Sequence, residues 1–310
     1  MNLTLHQLRA FQAIAKYQSI TKAAEAMNMT QPAVSIQLKN LQEQFSVPLT
    51  EILGKKIHIT EFGQELVDTA DRIFTEMNNI ETKMLELKGL LGGKIRISSV
   101  STGKYIIPYL MADFMKIHPH VDISLEVSNR YNVLAHLQEN STDLALVSLW
   151  PEDLDLESIS IAENNWYLAC AYDKVDFFKR EIEKENWSKI PMILREKGSG
   201  TRTMMEKFFF DRDIHVESKM ELATNEAVKQ AVMAGLGASV LSNFSMTQEL
   251  KDKRLAIIPY PGFPLKADWR LIWLKQKKHP PAVNAFIRWL GENKTEIFKD
   301  HFPALETLGI

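Results

Sequence analysis

Leu3, Leu5, Leu8, Phe11, Ile14 and Ala15 recur at helical spacing and predict a first helix. Ser19–Ile20–Thr21 interrupts that pattern and opens a second, Ala-rich helix from Thr21 to Met27. Asn28–Met29–Thr30 makes a tight connection into TQPAVSIQLKNLQ, where Thr30 can cap and Pro32 sits in the first turn. Val34, Leu38, Leu41 and Phe45 share one face of this third helix, and Gln31, Ser35, Lys39 and Gln42 share another. Small Ala23 and Ala24 let the third helix cross the second closely, as a helix–turn–helix requires. Ile52–Leu53 and Ile57–His58–Ile59–Thr60 then read as short strands around a basic tip, Gly54–Lys55–Lys56. This is a winged helix–turn–helix, which places its third helix in the major groove and its tip along the backbone.

Leu66, Ala70, Ile73, Met77, Ile80, Met84 and Leu87 step alternately by four and three residues, a heptad seam. A helix of this kind either packs on its own body or pairs with a second copy. The two-position seam, narrower than the usual core-facing stripe, favours pairing. Gly89, Gly92 and Gly93 end the helix and mark a hinge.

From Lys94 the period changes. KIRISS, VDISLEVS and DLALVSL read as strands, separated by helices over Lys104–Ile117 and Asn132–Asn140. ENNWYLACAY opens a second run: PMILRE, a helix over Thr201–Asp211, MELAT, a helix over Asn225–Ala234, and GASVLS. RLAIIPY and DWRLIWLK are further strands, and Pro281–Asn293 is a closing helix. The alternation predicts parallel sheets covered by helices, in two lobes with a cleft between them. Crossings are expected near Glu163–Trp166 and Tyr260–Trp269. The expected domains are therefore 1–61, a winged helix–turn–helix; 62–91, a linker and dimerisation helix; and 92–310, an α/β body. Its lobes are about 94–163 plus 269–310, and 164–268.

Composition narrows the class. The 310 residues are 45% hydrophobic, enough for real cores. No apolar run approaches the roughly 18 residues of a membrane span. MNLTLHQLRAF lacks a signal-peptide core, so a cytoplasmic location is expected. Cys170 is the one cysteine and lies in an apolar strand-like run, the setting of a buried small side chain. Residues 1–60 hold six basic and three acidic groups, net +3, against thirty-one and thirty-six in the remainder, net −5. A basic head on an acidic body points to an anionic partner for the head.

Ser, Gln and Lys reach base edges and phosphates. Gln31 suits adenine, Ser35 either base or phosphate, and Lys39, Lys55 and Lys56 the backbone. In the body, three segments share one design, a strand end, then small or polar residues, then a helix start. They are Ser98–Thr102 before Lys104, Arg195–Arg202, and Ala223–Glu226. Helix starts offer free N–H groups to anions. Gly198 and Gly200 permit close backbone approach, and Arg195, Lys197 and Arg202 add charge. The inferred ligand is a small anion, phosphorylated or carboxylic. Catalytic motifs fail: GLLGGKI has the wrong spacing for a phosphate-binding loop, and KGSGT is not a nucleophile elbow. His118–Pro119–His120 lacks a metal-ligand companion. Neither an enzyme nor a cofactor or metal is expected. A solute-binding protein could use the same two lobes, but the head and seam argue against it.

LTLHQLRAFQAIAKYQSITKAAEAMNMTQPAVSIQLKNLQEQ with GKKIHITEFGQEL resembles the head of LysR-type transcriptional regulators. STGKYIIPYL, HPHVDISLEVSNR, PEDLDLE, REKGSGTRTMMEKFF and NEAVKQAVMAGLGASVLS extend the resemblance to the branch regulating carbon-dioxide-fixation (RuBisCO) operons. The resemblance implies a periplasmic-binding-protein-like effector domain and homodimers that assemble into homotetramers. It implies double-stranded DNA with an inverted repeat as partner and leaves RNA polymerase open as a further one. Carried over by position, Gln31, Pro32, Ser35 and Lys39 match the DNA-reading helix, with Thr21, Thr30, Gln37, Lys55 and Lys56 completing the candidate interface. Ser99, Ser101, Thr102, Lys104, Ser148, Arg195, Gly198, Ser199, Thr201, Arg202, Asn225 and Glu226 are the candidate effector residues. The implied effectors are phosphorylated sugars, phosphoglycolate-like compounds or related acids. Leu66, Ala70, Ile73, Met77, Ile80 and Met84 are the expected dimerisation residues. Thr50 and Ile52 stand where the family usually has Phe and Arg.

Overall fold

A computed structural model describes residues 2–54 and 56–302. It divides into two units between Lys88 and Gly89.

The first unit opens with α1 (Leu5–Tyr17), α2 (Ile20–Ala26) and α3 (Gln31–Gln42). Thr4 and Gln7 form a capping box at the start of α1, and Ser19 caps α2 by accepting from the Lys22 N–H. Asn28 takes the left-handed conformation (φ 52°) that turns α2 toward α3, a conformation Asn tolerates better than most residues. Ala10, Ile14, Ala23, Ala24 and Val34 form one small core, so the two alanines allow the close crossing that was expected. The wing is a hairpin of β1 (Thr50–Leu53) and β2 (Lys56–Ile59), with Gly54 at its tip (φ 67°). Gln42, read from the sequence as part of the polar outer face, instead braces the turn into the wing. Its amide donates to the Val47 carbonyl (2.9 Å) and accepts from the Leu49 N–H (2.7 Å). Leu49 in turn fits against Gly63, where a Cβ would stand 2.2 Å from the Leu49 carbonyl oxygen.

The long helix α4 (Glu61–Leu87) carries the heptad seam, but the seam is divided. Leu66 and Ala70 are buried with Leu8, Phe11, Leu41 and Leu49, and Ile73 packs on that cluster. Met77, Ile80, Met84 and Leu87 are exposed, at 37, 68, 51 and 90%. The first half of the stripe therefore closes the unit's own core, and the second half is open. Gly89 ends the helix in the left-handed conformation (φ 70°) that such a terminus favours. The expected hinge at Gly92–Gly93 is corrected here: both glycines are paired residues of a strand, opposite His120 and Val121.

That strand, β3 (Gly92–Val100), begins the body. A 3-10 turn over Ser101–Tyr105 leads to α5 (Ile107–Ile117), β4 (His120–Ser128), α6 (Arg130–Gln138), β5 (Leu144–Val147) and β6 (Leu156–Ala171). Then come α7 (Val175–Glu183), β7 (Met192–Arg195), α8 (Gly200–Phe210), β8 (Ser218–Leu222), α9 (Asn225–Met233), β9 (Ser239–Ser242), α10 (Asn243–Lys251), β10 (Leu255–Ile257), β11 (Leu265–Leu274) and α11 (Pro281–His301).

The lobes do not each have a closed sheet. One sheet runs β10-β6-β11-β5-β3-β4 with β9 joined to β6, because β6 and β11 are long enough to serve both lobes. They pair antiparallel from Leu265 opposite Trp166 to Leu274 opposite Leu156. In the first lobe β3 lies parallel to β4 and β5. The core there gathers Ile95, Ile97, Leu110, Phe114, Leu146, Trp269 and Phe286. In the second lobe β7 and β8 are parallel, over cores that include Trp166, Leu168, Trp187 and Met192 on one side and Ala169, Ile193, Val228 and Leu241 on the other. Cys170 is fully buried, and burial pushes its thiol up to about 12. Among the described residues no helix is long and apolar enough to cross a membrane.

Candidate DNA interface and effector cleft

On α3, Gln31, Pro32 and Lys39 are exposed and Ser35 and Gln37 half-buried. The Thr30 hydroxyl makes no cap bond although its backbone is in the N-cap conformation, so it is free to reach outward. Thr21 is exposed near the start of α2. Lys39 is held loosely by Glu43 across one turn (3.8 Å), a contact that an arriving phosphate can replace. Ile36, 55% exposed beside these polar groups, was not among the candidate residues; an apolar side chain there suits a thymine methyl. Of the basic tip, Lys55 lies outside the described residues, and for Lys56 only its strand position is described.

In the body, the ends of β3 and β5 and the starts of α6 and α8 line a narrow cleft between the lobes, with a cavity of about 20 Å³. Ser101, Thr102, Ser148, Arg195, Ser199 and Thr201, all expected from the sequence, line it. Gly200, read from the sequence as allowing close backbone approach, lines it too, and Asn129, Arg130 and Leu149 line it without having been expected. Arg130 carries charge into the site. Among the described residues its guanidinium hydrogen-bonds the Leu149 and Trp150 carbonyls alone, at 3.5 and 3.4 Å. Burial pushes its pKa down, and Asp153 offsets part of that. A guanidinium stays charged under these conditions, so the site holds a cation in want of a counter-charge. Arg195, 4% exposed, is instead neutralised by a two-pronged pair with Glu196 (2.8 and 2.9 Å). Ser199 stands at the N-cap of α8 without capping it, leaving its hydroxyl and the helix start available to an anion.

The other expected residues lie around this cavity. Ser99 is fully buried behind the loop, its hydroxyl bonded to the Val100 carbonyl; a Cβ on Gly103 would strike it. Gly198 (φ 89°) touches the first lobe, its carbonyl accepting from the Tyr131 N–H at 3.2 Å. Arg202 turns away and is corrected as an effector contact. It pairs with Glu206 (2.6 Å) and Glu221 (2.5 Å) and donates to the Arg195 carbonyl (3.0 Å), so it positions the β7–α8 turn. The third segment joins the edge of the site rather than its lining. The Asn225 N–H donates to the Ser101 hydroxyl at 3.3 Å, and the Asn225 side chain is fully buried with both amide atoms unpartnered. Lys104 and Glu226 form a cross-lobe cluster beside the cavity. Tyr105 donates to Glu226 at 2.7 Å, with Lys229 at 3.3 Å and Lys104 at 4.0 Å. Burial pushes the Glu226 carboxyl up, but hydrogen bonds from Gln230, Tyr105 and Lys229 outweigh it and hold it down at about 2.

Residues 5–64 match the family model for the bacterial regulatory helix-turn-helix protein, lysR family, and residues 88–295 match the LysR substrate binding domain. The chain belongs to the LysR family. It is a LysR-type DNA-binding transcription regulator with an effector-binding domain. The transcriptional activator CmpR of Synechocystis is 37% identical, over 93% of this chain and 95% of that protein. The RuBisCO operon transcriptional regulator of Allochromatium vinosum is 36% identical, over 92% and 95%. Among solved structures, the Synechocystis CcmR regulatory domain in complex with 2-PG aligns with a TM-score of 0.59 at 29% identity, over 65% of this chain and 97% of that one. Full-length CbnR with its target DNA aligns with a TM-score of 0.67 over 93% and 100%; at 19% identity it supports the LysR-type fold alone.

Proposed function

We propose that this regulator senses a small phosphorylated or carboxylic anion in the interlobe cleft and binds an inverted-repeat promoter site in the cytoplasm as a homodimer or homotetramer. The observation that carries the ligand class is the Arg130 guanidinium, which among the described residues has no carboxylate within ion-pair distance, beside Arg195 and the start of α8 that no side chain caps. The binding of 2-PG by the related CcmR domain supports the same class. Ser101, Thr102, Ser148 and Thr201 supply hydroxyls that orient the anion. The open half of α4, from Met77 to Leu87, supports pairing of two chains, which sets two α3 helices side by side. The domain division expected from the sequence is kept on this reading, with the linker helix joining head to sensor. The similarity to the RuBisCO operon transcriptional regulator of Allochromatium vinosum supports genes of carbon-dioxide fixation as targets.

A thermal-shift series with phosphorylated and carboxylic metabolites, 2-PG included, tests the ligand class, and footprinting on the chain's own promoter with and without the best hit tests the response. A stabilising acid that alters the footprint is expected. Stabilisation by neutral sugars alone would refute the ligand class.

A further inference from the structure

β11 runs antiparallel to β5, so its far end lies at the start of β5, away from the cleft. There the chain continues as KQKKHPP into α11, and a cavity of about 800 Å³, counting its open mouth, is set against the strand ends. It shares no lining residue with the cleft.

Its charges are not equivalent. Lys277 is occupied, donating to the Thr142 carbonyl (2.8 Å) and paired with Asp143 (2.9 Å). Lys275 and Lys278 are exposed on the wall, and among the described residues neither has a carboxylate within ion-pair distance. His279 sits with its ring edge-on to Trp273 (6.3 Å, 81°), and both ring nitrogens are buried without a partner. Burial, then Lys277, pushes its pKa down, which favours a neutral ring with one donor and one acceptor. Glu157, an exposed residue of the lining, accepts from the Trp273 indole N–H at 3.1 Å with one carboxylate oxygen. The Asn284 amide is anchored on the His279 carbonyl (3.1 Å) at the start of the 21-residue helix α11, whose dipole favours negative charge there.

We propose that this cavity is a second ligand site, taking a small metabolite that carries a phosphate or carboxylate together with a hydroxyl or amine. Lys275 and Lys278 take the anion, Glu157 takes the hydroxyl or amine proton, and His279 completes the wall. A concave surface with a carboxylate inside it suits such a ligand better than a nucleic-acid backbone, which needs an unbroken basic track. Glu157 starts β6 and Lys275 follows β11, the two strands shared by both lobes, so a ligand here grips the strands on which the lobes are carried.

The test uses the full chain and inorganic phosphate at constant ionic strength, followed by phosphorus NMR line broadening. Arg130→Ala removes the cleft charge and is expected to leave a phosphate-binding event. Adding Lys275→Ala and Lys278→Ala to it is expected to weaken that event by about tenfold or more. Lys207→Ala with Lys219→Ala, two exposed lysines elsewhere, serves as the charge-matched control and is expected to change nothing. Loss of all binding in Arg130→Ala, undiminished binding in the triple variant, or an equal loss in the control would overturn the second site.

Discussion

On α3, Gln31, Pro32 and Lys39 stand in solvent and the Thr30 hydroxyl bonds nothing within its helix. In the cleft, Ser101, Thr102, Arg195, Ser199 and Thr201 are all buried, and Arg195 and Ser101 already have partners. The difference follows from what each region meets. A groove in DNA is a large, rigid surface, so the reading groups must project from a scaffold held by other residues, here the Phe11–Leu41–Leu49 core and the Gln42 brace. A small anion, the ligand proposed for the cleft, has to be surrounded and desolvated, so the groups proposed to bind it form the wall itself. A bond from Arg195 to such a ligand then competes with its existing pair to Glu196. The head presents; the cleft exchanges.

Substitutions separate these two modes. Phe11→Ala removes a fully buried ring and should destabilise the head by about 3–5 kcal/mol, while the melting of the effector body stays unchanged; calorimetric scanning resolves the two. Next in size is the linker. Ile80→Lys should dissociate the assembly in sedimentation without lowering the head's melting temperature, because Ile80 is 68% exposed in the single chain. Ile73→Lys should instead destabilise the head, since Ile73 packs on its core. Equal behaviour of the two variants would erase the division of the seam. Smallest are the glutamines. Gln42→Ala should cost about 1–2 kcal/mol of head stability with base preference intact. Gln31→Ala should leave stability unchanged and lower discrimination at one base pair by about 1–3 kcal/mol in competition binding. If both lowered stability alike, the presentation mode would be wrong for α3.

The helices of the head were legible because Leu8, Phe11, Ile14, Val34 and Leu41 follow one period and are buried where that period puts them. Gln42 was not. Periodicity assigns a face, whereas its role comes from a turn five residues on that bends back to its amide. The seam was read as one device because Leu66, Ala70 and Ile73 continue the same heptad as Ile80. What divides them is tertiary: the cluster under α4 reaches only as far as Ile73 and Phe74. The alternating α/β units were visible, but the lengths of β6 and β11 were not, so one shared sheet was read as two. In the cleft, the strand–polar–helix design found Ser101, Thr102, Arg195, Ser199 and Thr201. The same design stands at Ser128–Asn129–Arg130, where Asn129 caps α6 by accepting from the Asn132 N–H. It was passed over because the helix was started two residues late. Arg202 was misplaced for the opposite reason. Charge near a loop says nothing of direction, and Glu206 one turn on, with Glu221 on β8, draws it outward.

The proposed sensing role rests on Arg130, a cation of the interlobe cavity that has no carboxylate within ion-pair distance among the described residues. Titration calorimetry of 2-PG into the full chain and into Arg130→Ala measures that directly. A fall in affinity of about tenfold or more, with DNA binding in the absence of ligand unaltered, is the predicted result. Equal affinity in the two proteins would contradict it.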